Sequence, residues 1–370
     1  MNFSNIIEQY SWEEIRQAIY SKTAAEVEKA LSKDALEITD FMALVSPAAL
    51  PYINTMAGKS QSLTQKRFGK TIQLFIPLYL SNECTNHCVY CGFNHSNNIR
   101  RVTLTEEEVL QEAEVLKSYG YEHLLLVTGE APGRVNVEYL AGMIRLLRPH
   151  FAHISLEVHP LEQEEYCELR KYGLNTVYVY QETYHKERYG LYHPKGKKAD
   201  FNYRLDTPDR LGRAEVHRIG IGSLIGLEDW RTDAVFTALH LKYLQKMYWK
   251  SKYSISFPRL RPHAGNFIPD FVISDREMVQ LITAYRLYDE FVELSISVRE
   301  SKKFRDNIIK LGITSMSAGS KTDPGGYSNH HHELEQFTVH DNRTPAEFAA
   351  VIREQGYEPV WKDWDEYMQL

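Results

Sequence analysis

The sequence predicts an α/β protein: a (β/α)8 barrel of the TIM type, with a helical extension before it and a loop-and-helix extension after it. Two observations carry this expectation. From Thr71 onward, eight short apolar runs alternate with amphipathic helical stretches, the order that builds a parallel sheet. The 370 residues also accommodate one such barrel, which takes about 250 residues, with segments to spare at both ends. The expected division is residues 1–70 as the extension, 71–318 as the barrel and 319–370 as a C-terminal extension packing on it.

Residues 1–70 read as polar helices, with a break at Pro51 and an apolar stretch at Phe41–Leu50, and suggest a cap or lid. The strand candidates are Ile72–Leu80, His123–Thr128, His153–Val158, Thr176–Tyr180, Arg218–Leu224, Tyr253–Phe257, Leu294–Val298 and Gly312–Met316. Thr105 with Glu108 and Ser274 with Glu277 form capping boxes, and Gly120, Gly173 and Gly312 stand where helices end. A helix from Asp229 to Tyr248 sets Val235, Phe236, Leu239, Tyr243, Leu244 and Met247 on one stripe, as an outer barrel helix would. Ser317–Tyr327 is a glycine-rich loop, and Thr344, Pro345 and Glu347 begin a last short helix.

The net charge of −6 leaves no basic footprint for nucleic acid. No basic and apolar leader opens the chain, and no apolar run approaches the ~18 residues of a membrane span. Four cysteines, three of them clustered, speak against a disulfide framework and for a reducing, cytoplasmic setting.

Those three, Cys84, Cys88 and Cys91, fall within eight residues, Cys-Thr-Asn-His-Cys-Val-Tyr-Cys. Three thiolates on one loop can hold three irons of a [4Fe–4S] cubane and leave the fourth iron for a small chelating ligand. A structural zinc site wants four ligands, usually as two separated pairs. The fourth cysteine, Cys167, lies far away in a helical stretch and reads as a core thiol.

The C-x3-C-x2-C spacing resembles the signature of the radical S-adenosylmethionine (SAM) enzymes. The resemblance implies a [4Fe–4S] cluster whose open iron chelates SAM, and reductive cleavage of SAM to a 5′-deoxyadenosyl radical. It also implies that Tyr90 and Gly92 lie near the adenine and that Gly129-Glu130, after the second strand, receives the SAM ammonium. Glu157 and Glu182, at the ends of the third and fourth strands, would accept from ribose hydroxyls, and Gly222, in the run Gly220–Gly226, would support the adenine.

Further segments narrow the resemblance: Tyr79–Cys84, Tyr90–Phe93, Val127–Glu130, Ser155–Glu157, Gln181–His185, Tyr203–Arg210, Ser256–Pro262, Ser317–Ser320 and Pro359–Trp364. Together they look like the tyrosine lyases of thiamine biosynthesis, the 2-iminoacetate synthases. The implied reaction cleaves the Cα–Cβ bond of L-tyrosine to 2-iminoacetate and 4-cresol, with SAM ending as 5′-deoxyadenosine and methionine. Arg299 would clamp the substrate carboxylate, Tyr79 and Ser317 would touch the substrate, and Arg259 would serve either SAM or tyrosine. Reduced ferredoxin or flavodoxin is the implied electron donor, and thiazole synthase the implied receiver of the product. The tyrosine lyases of hydrogenase maturation hold a second cluster on C-terminal cysteines; none follows Cys167 here. The alternatives are a lyase of another aromatic amino acid such as tryptophan, and a non-enzymatic iron–sulfur or zinc protein. His330–His332 reads as a solvated loop.

Overall fold

A computed structural model of the chain describes residues 2–260, 267–328 and 336–362. Its centre is a closed barrel of parallel strands: β1 (Thr71–Ser81), β2 (His123–Thr128), β3 (His153–Glu157), β4 (Leu174–Tyr178), β5 (Arg218–Ile221), β6 (Lys252–Ser256), β7 (Glu293–Ile296) and β8 (Ser315–Ser317). Each pairs with its successor, and β1 pairs with both β2 and β8, so the ring closes. β2 is buried along its whole length, as strands covered on both faces are. The last strand starts at Ser315 rather than Gly312, because Gly312 takes φ +130° and completes the preceding turn.

A ninth strand was not legible in the sequence. β9 (Glu358–Val360) pairs with Thr71–Gln73 of β1. Gln73 faces Ser315 on one edge and Val360 on the other, so β9 lies on the β2 side, where β2 pairs only from Ile76 upward. Three residues are too few for a periodic signal; they are ordered by an edge that was otherwise bare.

Local signals held where they depend on neighbours in sequence. Thr105 with Glu108, Ser274 with Glu277 and Thr344 with Glu347 form reciprocal caps, and Gly120 and Gly173 take φ of +90° and +104° at helix ends. The helix expected over Asp229–Tyr248 runs Trp230–Met247 with Asp229 as its cap. It is buried nearly all round rather than on one stripe, because the N-terminal helices lie on its outer face. Trp12 stacks on Phe236 and Phe41 packs on Tyr285 and Tyr288. Residues 3–68 therefore form a flanking layer on the helices Trp230–Met247 and Asp275–Tyr288, not the cap or lid expected.

The C-terminal part folds back on the barrel. Tyr327 Oη donates to the Pro77 carbonyl at 2.7 Å, and the buried Arg305 pairs with the buried Asp341. Cys167 is half-buried against the core rather than enclosed. Arg261–Pro262, His330–His332 and Trp364 lie outside the described residues. Among the described residues no helix is long and apolar enough to cross a membrane.

Candidate active site at the C-terminal mouth of the barrel

Parallel strands bring all their C-terminal ends to one mouth, and the loop leaving β1 delivers the cysteines there. Arg101 fixes this loop by donating to the carbonyls of Asn82, Phe93 and Asn94 at 2.7–2.9 Å. Gly129, at the end of β2, lets it come close: a Cβ there would stand 2.2 Å from the Glu83 carbonyl oxygen. Cys84, Cys88 and Cys91 are free thiols lining one cavity. Burial raises the pKa of all three, so they become thiolates when iron replaces the proton.

Glu130 and Glu182 line the same cavity, each held by a cation. Arg204 holds Glu130 at 2.8 Å, Lys198 holds Glu182 at 2.7 Å, and Asn86 donates to Glu130 at 2.7 Å. Burial alone would raise the Glu130 pKa, but Arg204 and Lys198 outweigh it and bring the pKa down to about 2. Glu182 sits at φ +70°, a left-handed conformation that is strained for a side-chain-bearing residue. The backbone here is bent to aim this carboxylate.

A second cavity is lined by residues from the barrel strands and their C-terminal ends. Its walls include Phe75, Leu125, Phe257 and Ile296, with Tyr79 and Ser317 among them. It shares Glu157, Arg299, Tyr178, Tyr180 and Phe337 with the first cavity, so these residues stand where the two meet. Burial pushes Glu157 up to about 7, with Arg299 opposing the rise. Arg299 lies over the Phe337 ring at 3.4 Å, and no described carboxylate is in ion-pair contact with it. A largely enclosed cation with no ion-paired carboxylate is costly, and an anionic ligand relieves that cost.

The expected site residues separate into two groups. Cys84, Cys88, Cys91, Tyr90, Gly129, Glu130 and Glu182 line the first cavity, Tyr79 and Ser317 the second, and Glu157 and Arg299 both. Gly92, Gly222 and Arg259 line neither. Arg259 is held by Glu300 and by Asp275, and at Gly222 a Cβ would meet the Ser256 carbonyl at 2.8 Å and the Tyr180 ring at 3.3 Å. Gly222 therefore leaves room for this chain's own atoms.

Several lining residues were missed. Lys198 stands in the run Lys195-Gly-Lys-Lys198, which reads as solvated charge. Arg204 carried a signal, since it lies within one of the segments that resemble the lyases. Gln336 had none: its side chain accepts from Tyr79 Oη at 2.8 Å and reaches Cys91 Sγ at 3.9 Å.

Comparison with known proteins matches this geometry. A family model of the radical SAM superfamily covers residues 78–235, and one of the biotin and thiamin synthesis associated domain covers 256–358. The chain is 51% identical to a 2-iminoacetate synthase of Escherichia coli K12 over 99% of this chain and 97% of that protein. The chain belongs to the 2-iminoacetate synthases. It is a radical SAM carbon–carbon lyase, and its cofactors are a [4Fe–4S] cluster and SAM. A 2-iminoacetate synthase of Salmonella typhimurium is 50% identical over the same shares. The crystal structure of HydG, a maturase of the [FeFe]-hydrogenase, superposes with a TM-score of 0.90 at 31% identity, covering 96% of this chain and 81% of HydG. The donor set fits the cluster: three thiols on one loop line one cavity, and three thiolates can hold three irons of a cubane.

Proposed function

We propose that this lyase cleaves the Cα–Cβ bond of L-tyrosine, giving 2-iminoacetate and 4-cresol while SAM is converted to 5′-deoxyadenosine and methionine, and that it supplies the thiazole of thiamine. The observation that carries this reading is the junction of the two cavities at Glu157 and Arg299, with three thiols on one side and an aromatic-walled chamber on the other. When bound and reduced, the cluster with SAM supplies a 5′-deoxyadenosyl radical.

The chain's own residues do the rest. Cys84, Cys88 and Cys91 ligate the cluster. Glu130, kept ionised by Arg204 and Lys198, accepts from the SAM ammonium, and Glu182 and the residues about Tyr90 hold the nucleoside. Arg299 binds the tyrosine carboxylate through its planar fork and so fixes the amine at the junction, close to the SAM side. Tyr79 and Ser317 line the chamber that takes the aromatic part. Gly92, Gly222 and Arg259 then act by supporting the walls.

Residues 71–318 are the catalytic barrel in this reading, with 1–70 and 319–370 as extensions packed on it. A reduced ferredoxin or flavodoxin delivers the electron, and direct transfer of the labile product to thiazole synthase follows from its chemistry. The test is anaerobic incubation of the reconstituted protein with SAM, L-tyrosine and a reductant, followed by mass spectrometry. Formation of 4-cresol and 5′-deoxyadenosine in equal amounts is expected; 5′-deoxyadenosine without 4-cresol would remove tyrosine as the substrate.

A further inference from the structure

Leu191, Ile268 and Val272 are exposed large aliphatic side chains, at 62%, 80% and 79% accessibility. They share one corner of the molecule: Phe267 meets the Tyr192 ring edge-on at 6.1 Å, and Arg188 reaches Asp270 at 4.0 Å. That corner abuts the cysteine loop, because Val89 N donates to the Tyr192 carbonyl at 3.1 Å. Beside it, residues 194–199 cross the loop. His87 N donates to the Lys195 carbonyl and Lys198 N to Asn86 Oδ1, each at 3.0 Å. Lys195 and Lys197 are thereby held exposed above the cysteines. No described carboxylate pairs with either, although the exposed Asp200 is near in sequence. His95, also exposed, reaches the Cys84 carbonyl with Nδ1 at 3.0 Å, and its ring lies 5.1 Å from that of His87. A protein of net charge −6 thus turns an aliphatic patch outward at the loop that holds the cluster, where the exposed Glu187 and Asp270 lie against His185 and Arg188 and Lys195 and Lys197 leave an excess of positive charge on the rim.

We propose that this face docks a small acidic electron-carrier protein whose redox group is an iron–sulfur centre or a flavin. The proposal rests on the radical SAM reading and deepens it by assigning the surface through which the electron enters. One electron leaves the carrier, which is oxidised by one equivalent, and enters the cluster, which is reduced by one; no proton moves and no covalent bond forms. Cationic rims speed encounter with acidic partners and orient them, and the aliphatic centre provides the water-excluding contact that a small redox interface needs. Another exposed pair, Trp249 and Phe291, borders the starts of β6 and β7 at the opposite mouth, away from the cysteines.

The test is calorimetric titration of the cluster-loaded enzyme with oxidised flavodoxin, without turnover. Wild-type Kd is expected to rise with salt, and Lys195→Glu/Lys197→Glu to raise it about tenfold or more, while Lys250→Glu at the opposite mouth leaves it unchanged. Equal iron content and circular dichroism exclude misfolding, and Leu191→Asp, expected to weaken binding similarly, is a second variant. With titanium(III) citrate as reductant, variant and wild type are expected to form 5′-deoxyadenosine equally fast. A Kd within twofold of wild type in both variants overturns the proposal, as does protection of Lys195 and Lys197 from acetylation by thiazole synthase but not by flavodoxin. Failure of wild type itself with titanium(III) citrate would count against the catalytic reading instead.

Discussion

At the scale of single residues, Glu157 and Arg299 show how burial turns ordinary groups into responsive ones. Glu157 faces Arg299, Lys198 and Arg204 on one sign and Glu182 on the other, with Tyr79, Tyr178 and Tyr180 about it. Its pKa is raised from 4.5 to about 7, so the folded state holds the proton more tightly than the unfolded chain. That contribution to stability is complete below about 4.5 and is lost as pH rises through 7. Glu157→Gln stays neutral, so the cofactor-free variant should unfold at higher urea than wild type at pH 8, by about 2 kcal/mol after allowance for contact with cavity water, and show almost no gain at pH 4.5. No gain at pH 8 would mean that the carboxylate is well solvated. For Arg299, lysine keeps the charge but loses the two-pronged grip. Arg299→Lys is expected to raise KM for tyrosine about 30-fold, the loss of one charge-assisted hydrogen bond, with iron content unchanged; an unaltered KM would remove Arg299 from the substrate.

At the scale of elements, the loop after β1 is positioned by its contact with the end of β2. Gly129 is where the two touch, and a methyl group there would meet backbone, which cannot rotate aside. Gly129→Ala is therefore expected to displace the Cys84 end of the loop and lower iron per chain after reconstitution by more than half, with the fold retained by circular dichroism. Full iron loading would show that the loop moves freely of β2. Gly220 teaches a related lesson: a Cβ there would lie 2.0 Å from the Tyr178 ring. The sequence marks such glycines as places of close approach, but it does not say whether a cofactor or the chain itself approaches.

At the scale of the whole molecule, the barrel is completed by its extensions. Arg305 and Asp341 are both wholly buried, Arg343 shares the same carboxylate, and Arg305 also donates to the Ser317 carbonyl at the end of β8. Removing one member leaves a charge buried without its partner, at a cost of about 3–5 kcal/mol. Asp341→Ala should lose that much in chemical denaturation, whereas Arg343→Ala, on the wetter side of the network, should lose under half as much. Equal losses would show that Arg305 is not the dominant member.

What the chain determined alone was what depends on near neighbours and on composition: eight alternating apolar runs, reciprocal caps such as Ser274 with Glu277, and three thiols on one short loop after a strand. Because parallel strands must end at one mouth, Glu157 and Glu182 could be named from strand ends without coordinates, and Glu130 and Arg299 from their resemblance to family motifs at such ends. Only the tertiary structure decided which of them meet. It set Lys198 and Arg204 against two carboxylates, brought Gln336 from the far end of the chain between Tyr79 and Cys91, turned Arg259 to Glu300, and laid residues 3–68 on the barrel's flank. Those outcomes depend on contacts between residues distant in sequence, where burial makes a lone charge costly and so selects its partner. No local period in the sequence records that selection.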